Sequence, residues 1–266
     1  GLYSSLHIYD KAEAEYSILT TKFSERKEPW LHLGALYAEQ KRYDDAIKTF
    51  KKLSEDPENE QRHLAYYYIG RIFEEQKNYK QADINYGQSL TVKPDFEEGV
   101  IALGKSFEDQ RRTPEMIHLF EGFQDKNGPS ERLAEALGRY YLEEEDYDKA
   151  FRQFEIIESV DASNLNIKVK MALILIEKKD YQRAASKLKQ VLVLAPDSDK
   201  IRFYLGAIYQ ELKDYDSAIE HFSKIVYPST FYGDAVVHNA YLHKLKGNLS
   251  QAFKTVELGV QNNPDH

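Results

Sequence analysis

A spacing of 34 residues governs this chain. Tyr147, Tyr181 and Tyr215 lie 34 apart, and Tyr9, Tyr43 and, after a two-residue slip, Tyr79 share their column. Thr113 and Leu249 fill the remaining places in it. Three residues after each comes a small side chain: Ala12, Ala46, Ala82, Ala150, Ala184, Ala218 and Ala252, with Met116 the exception. Four further on comes a bulky one: Tyr16, Phe50, Tyr86, Phe120, Phe154, Leu188, Phe222 and Val256. So strict a period means one structural unit used many times, and it takes precedence over any local motif.

A second pattern precedes each of these columns. Trp30, Leu33, Gly34 and Tyr37 sit at i, i+3, i+4 and i+7, one face of a helix. Tyr66, Ile69, Gly70 and Phe73 repeat it, as do Val100, Leu103, Gly104 and Phe107. Ala134, Leu137, Gly138 and Tyr141 follow, then Arg202, Leu205, Gly206 and Tyr209. Each unit therefore reads as two amphipathic helices, A and B, joined by a short polar turn. The turns carry Asn78, Asp146, Asp180, Asp214 or Asn248, side chains that cap the start of helix B. Pro57, Pro94, Pro196 and Pro264 fall near the expected end of helix B.

These columns resemble the tetratricopeptide repeat family, whose 34-residue consensus places Trp, Leu, Gly and Tyr in helix A and Ala, Phe, Ala and Pro in helix B. The resemblance implies an all-α fold, a right-handed α-solenoid of helix-turn-helix repeats. It implies one superhelix over 1–266, with a partial repeat 1–26, cut just upstream of Tyr3. Full repeats are expected at 27–60, 63–96, 97–130, 131–164, 165–198, 199–232 and 233–266. Stacked pairs share a core that no single pair can build, and the end repeats of such stacks usually carry a polar cap. No such cap helix follows residue 266, which points to a fragment or to covered ends. Unit 97–130 departs from the pattern with Pro114, which suits the first turn of a helix, and with Met116. Unit 199–232 has Pro228 two places early, so its helix B is expected to be short. His243 and Leu249 replace aromatics in the last unit, so looser packing is expected there.

The same resemblance implies that positions 2, 5, 6, 9, 12 and 13 of helix A line a concave groove. Tyr67 holds position 5 of its repeat. Position 9 supplies a basic row, Arg71, Lys105 and Arg139. Its structural alternative is self-neutralisation through the i, i+4 pairs Arg71–Glu75, Lys105–Asp109 and Arg139–Glu143. The C-terminal part of the groove is apolar and aromatic: Val169, Leu173, Ile176, Phe203, Tyr204, Val237 and Tyr241. Contiguous exposed apolar surface usually marks a partner site, and an extended peptide or amphipathic helix would place its apolar anchors there. Self-association, or packing against a missing segment of the same protein, is the alternative use of the patch. Position 5 lacks the lysine, and position 9 the asparagine, with which some family members clamp an acidic chaperone tail.

Composition excludes much else. There is no cysteine among the 266 residues, hence no disulfide, thiolate metal site or cysteine nucleophile. The net charge of −8 argues against non-specific nucleic-acid binding, which needs a positive surface. The longest apolar run, 171–176, is far short of a membrane span. No phosphate loop, G-x-S-x-G elbow or H-E-x-x-H motif is present. His238 and His243 are five apart and do not share a helix face as metal ligands would. No cofactor, metal or catalytic residue is expected. The sequence thus reads as a non-catalytic scaffold for a peptide or protein segment. The alternative is a regulatory or substrate-recruiting arm of a larger enzyme or cell-envelope assembly. The chain begins Gly1-Leu2 without Met, which is compatible with a removed leader and leaves the compartment open between cytoplasm and envelope.

Overall fold

The structure, a computed structural model, describes residues 9–262. The expectations placed on Tyr3 and Pro264 lie outside the described residues. Every element among those residues is helical. A first compact unit ends at Pro129 and a second begins at Ser130. The first holds α1 (Tyr9–Lys22), α2 (Glu28–Glu39), α3 (Tyr43–Ser54), α4 (Arg62–Glu75), α5 (Tyr79–Val92), α6 (Glu97–Asp109) and α7 (Thr113–Asn127). The second holds α8 (Glu131–Glu143), α9 (Tyr147–Val160), α10 (Leu165–Glu177), α11 (Tyr181–Leu194), α12 (Asp199–Glu211), α13 (Tyr215–Ser223), α14 (Tyr232–Leu245) and α15 (Leu249–Asn262). Within each unit every helix packs on the one before it, so antiparallel A–B pairs stack as a solenoid.

Each A helix stops by the same device. At the end of α8 the Asp146 N–H donates to the Tyr141 carbonyl at 2.8 Å, and the Glu145 N–H donates to Leu142 at 3.2 Å. This nested pair is a Schellman motif, and it throws Glu145 to φ 58°. Lys41, Lys77, Arg111, Lys179 and Lys213 take the same left-handed conformation, and Gly247 takes it at φ 77°. That conformation costs an ordinary side chain about 1–2 kcal/mol, and only the last of these turns supplies glycine.

The next residue serves both helices. Its N–H closes helix A, and its side chain opens helix B. Asp146, Asp180 and Asp214 accept from the N–H of Lys149, Arg183 and Ser217 at 3.1, 3.2 and 3.2 Å. Asn78 and Asn248 do the same at 3.4 and 3.3 Å. The expected caps are in place. Arg42 and Arg112 hold this column without capping. Each reaches back to the preceding B helix instead, Arg42 to Glu13 at 2.7 Å and Arg112 to Asp83 at 2.6 Å.

The core is built on a ring-in-notch contact. A Cβ placed on Gly138 would lie 2.5 Å from the Phe154 ring, and one on Gly34 would lie 2.7 Å from Phe50. Gly70, Gly104 and Gly206 stand in the same relation to Tyr86, Phe120 and Phe222. The outer face of the ring is covered by position 6 of the following A helix. Tyr68 stacks on Phe50 at 5.2 Å, Lys170 lies over Phe154 at 5.4 Å, and His238 stacks on Phe222 at 5.1 Å. Where the notch is shallower the plug is smaller, since Ala172 shares its unit with Leu188 and Ala240 with Val256. Phe50, Tyr86, Phe154, Phe222 and Leu188 are all fully buried. Each such burial contributes roughly 1.5–3 kcal/mol.

Two departures have local causes. Helix α13 is nine residues long against 14 for α9 and α11, and Pro228 follows it, as expected. In the second unit Lys168 takes the place held by Trp30 in its own repeat and is buried. Its ammonium donates to Glu158 at 2.6 Å and to Gln190 at 3.1 Å, and Lys187 also reaches Glu158. Burial alone would raise the Glu158 carboxyl, but hydrogen bonds from Lys168 and Lys187 hold it below the usual carboxylate range.

Two measurements check these contacts. Gly138→Ala is expected to cost about 1–3 kcal/mol in denaturant unfolding, because the added methyl meets the Phe154 ring. In a Phe154→Leu background the penalty should shrink below about 0.5 kcal/mol, and an equal penalty in both would place the strain elsewhere. Glu158→Gln leaves two cations facing each other and should cost about 3 kcal/mol near neutrality. Because the folded-state pKa is lowered, this stabilisation is complete above the ordinary carboxylate pKa and fades as pH falls through the lower folded value. Acid unfolding of the Gln variant should therefore lack that component.

Candidate functional site

The candidate surface is made by those A-helix positions that the ring-in-notch core leaves over. In the first unit Tyr67, on α4, is half-buried and packed. Its ring meets Phe96 edge-on at 5.4 Å and lies 5.9 Å from Tyr86. Arg71 is exposed one turn later, with its guanidinium 6.0 Å over the Tyr67 ring. Lys105, on α6, approaches Glu74 on α4 at 4.0 Å rather than its i+4 neighbour Asp109. Glu74 also accepts the Tyr86 hydroxyl at 2.5 Å. Burial, then that carboxylate, push the Tyr86 phenol far above its ordinary value. Glu75 is engaged in turn by Tyr43, whose phenol is raised first by their hydrogen bond. Position 13 thus ties two repeats to the tyrosine of the preceding turn, Glu75 to Tyr43 and Glu39 to Tyr9 at 3.1 Å. Nothing in sequence spacing distinguishes such a glutamate from a groove-lining one.

The second unit carries the remaining candidates. Arg139 is exposed on α8. On α10 Leu173 is 40% exposed, while Val169 and Ile176 are half-buried. On α14 Val237 and Tyr241 are 67% and 50% exposed. These three exposed side chains touch water without packing need. Phe203, on α12, is different. It lies among Phe222 at 5.5 Å, Phe231 at 5.5 Å and His238 at 5.6 Å, and so is a member of the core edge. Tyr204 is half-buried in the position-6 column, with Lys200 5.9 Å from its ring centre.

The structure adds residues that the column reading did not single out. A concave pocket of about 520 Å³ opens where the first turns of α8, α10 and α12 meet. Val169 and Ile201 contribute to its apolar part, and Glu135, Asn166, Lys170 and Lys200 to its polar part. Its signal in sequence was only that these residues, apart from Ile201 at position 3, fall at positions 2, 5 and 6. Leu245, one turn beyond Tyr241, is exposed as well and lengthens the apolar run on α14.

Among the described residues no group of three or more His, Asp or Glu is placed to hold a metal ion. Among the same residues no helix is long and apolar enough to cross a membrane. His238 pairs its Nδ1 with Gln210 Oε1 at 3.0 Å.

Comparison with known proteins agrees with this architecture. Three models of the tetratricopeptide repeat match residues 5–60, 64–96 and 175–229, together just over half of the chain. No curated protein matches it by sequence. The C-terminal part of a TPR repeat-containing protein from Cytophaga hutchinsonii is 15% identical, with a TM-score of 0.54, covering 89% of this chain and 96% of that one. A tetratricopeptide repeat protein from Parabacteroides merdae is 13% identical, with a TM-score of 0.50, covering 89% and 93%. At such identity the likeness speaks for the fold alone. The recurring ring-in-notch core and the three matches together make the conclusion plain: this chain belongs to the tetratricopeptide repeat family, whose members are protein–protein interaction scaffolds.

Proposed function

We propose that the second unit grips a segment of a partner protein along its A helices, as a non-catalytic scaffold. The observation that carries this reading is the exposure of Leu173, Val237 and Tyr241 at positions the core does not use. Exposed apolar side chains on α10 and α14, with half-buried Tyr204 on α12 between them, suit a partner helix or extended strand with apolar anchors. Ile176, Tyr204 and Val169 form the half-buried flanks of that surface. The basic residues have a lesser part, because Lys105 is shared with Glu74 and Arg71 lies over Tyr67.

Placement also decides which substitutions can test the idea. Phe203→Asp would set a charge among three aromatic rings and is expected to cost more than about 3 kcal/mol, so any lost binding would report unfolding. Val237→Asp and Tyr241→Asp alter exposed positions and should each change stability by less than about 0.5 kcal/mol. Combined with Leu173→Asp, they should abolish partner capture while leaving the melting curve in place. A photo-crosslinking residue at 237 or 241 should trap the partner. The same residue at Val193, 80% exposed on helix B, should not. Undiminished capture by the triple variant, or equal trapping at 193, would overturn the reading.

A further inference from the structure

The apolar surface of the second unit has a charged rim. Helices α8, α10 and α12 end at Glu143, Glu177 and Glu211, each at position 13 of its repeat. All three carboxylates are exposed. Each stands one turn beyond position 9, so Glu177 shares a helix face with exposed Leu173. On α14 the same column turns apolar at Leu245, one turn beyond Tyr241. A carboxylate in the last turn of a helix opposes the macrodipole, and none of these three helices carries a cation in that turn to offset it. In the first unit such residues answer tyrosines, as Glu75 does Tyr43, whereas Glu177 reaches Tyr147 by charge alone. Among the described residues none of the three forms an ion pair, and Arg139, one turn before Glu143, does not pair with it. Lys178 and Lys246, each just past an A helix, bond instead to Asp148 and Asp216 on the preceding B helices.

We infer that the segment gripped by the second unit is cationic along one side. The inference rests on the proposed groove function and names the chemistry of its partner. Apolar anchors seat against Leu173, Val237 and Tyr241, and lysine or arginine side chains reach Glu143, Glu177 and Glu211. The three carboxylates stand against the dipoles of their own helices and meet no cation of this chain, so the charge that offsets them comes from the partner. The rim is acidic over α8, α10 and α12 and apolar at Leu245, so the basic part of the partner lies over the first three helices and an apolar end lies over α14. A segment with the same anchors but acidic flanks meets like charge. The rim therefore acts on encounter rate and on the choice among apolar partners, while the anchors supply the contact.

Selection of displayed random peptides on the full chain tests this, followed by binding of synthetic copies in fluorescence anisotropy. Enriched peptides should combine apolar residues with a net positive charge. Their affinity should fall at least about tenfold when Glu143→Gln, Glu177→Gln and Glu211→Gln are combined, and added salt should weaken binding to the parent far more than to this variant. The triple Gln variant should melt no lower than the parent, because each change removes a charge that opposes its helix. A lower melting temperature would mean that the carboxylates serve the fold, against the inference. Val237→Ser with Tyr241→Ser removes two anchors without adding charge and separates the remaining outcomes. Peptides of any charge that are lost with the Ser changes but not with the Gln changes would overturn the cationic partner and leave the groove standing. No enrichment, or enrichment indifferent to the Ser changes, would overturn both.

Discussion

Each B-helix ring rests in a notch that only glycine can provide. Without the missing Cβ at Gly138, the ring of Phe154 could not lie against the α8 backbone, and the two helices would have to separate. The same ring is then roofed by the next A helix, by Tyr68, Lys170 or His238 according to the unit. One side chain thereby fixes both the spacing within a pair and the spacing to the next pair. Dispersion and burial do the work, and polar groups enter only where the roof is a cation or an imidazole. The exchange of glycine plus aromatic for Ala172 plus Leu188 keeps the summed volume of the contact nearly constant.

The turns complete the constraint. A left-handed residue followed by a capping side chain reverses the chain in the least length, and it satisfies the last carbonyls of one helix and the first N–H groups of the next. Ordinary residues such as Lys179 and Lys213 hold the left-handed place because the surrounding bonds leave them no other. Cross-links in the solenoid then accumulate at fixed offsets, Tyr to Glu and Arg to the preceding B helix, so neighbouring units are tied by hydrogen bonds as well as by packing.

How much of this could be read from the chain follows from the range of each interaction. The notch and its plug lie sixteen residues apart in one unit and recur, so the columns Gly34–Phe50 and Gly138–Phe154 were visible in sequence. Pro228 shortening α13 is local and was legible for the same reason. Contacts between units were not. Whether Glu75 lines a groove or answers Tyr43, and whether Phe203 faces solvent or Phe231, depends on how one pair is turned against the next. Periodicity carries no record of that angle. Lys168 shows the same limit, since a cation in an aromatic column reads as a defect until Glu158 and Lys187 are seen beside it.

What the core and the turns use up determines what is left for recognition. Leu173, Val237 and Tyr241 on the A helices are exposed apolar side chains that neither the core nor the turns use. Hydroxyl-radical footprinting of the free protein measures that division side chain by side chain. Phe50, Tyr86, Phe154 and Phe222 should remain unmodified while Tyr241 and Phe253 are oxidised rapidly. Oxidation of Phe154 and Phe222 at the rate of Phe253 would mean that the rings do not rest in their glycine notches, and the account would fail with them.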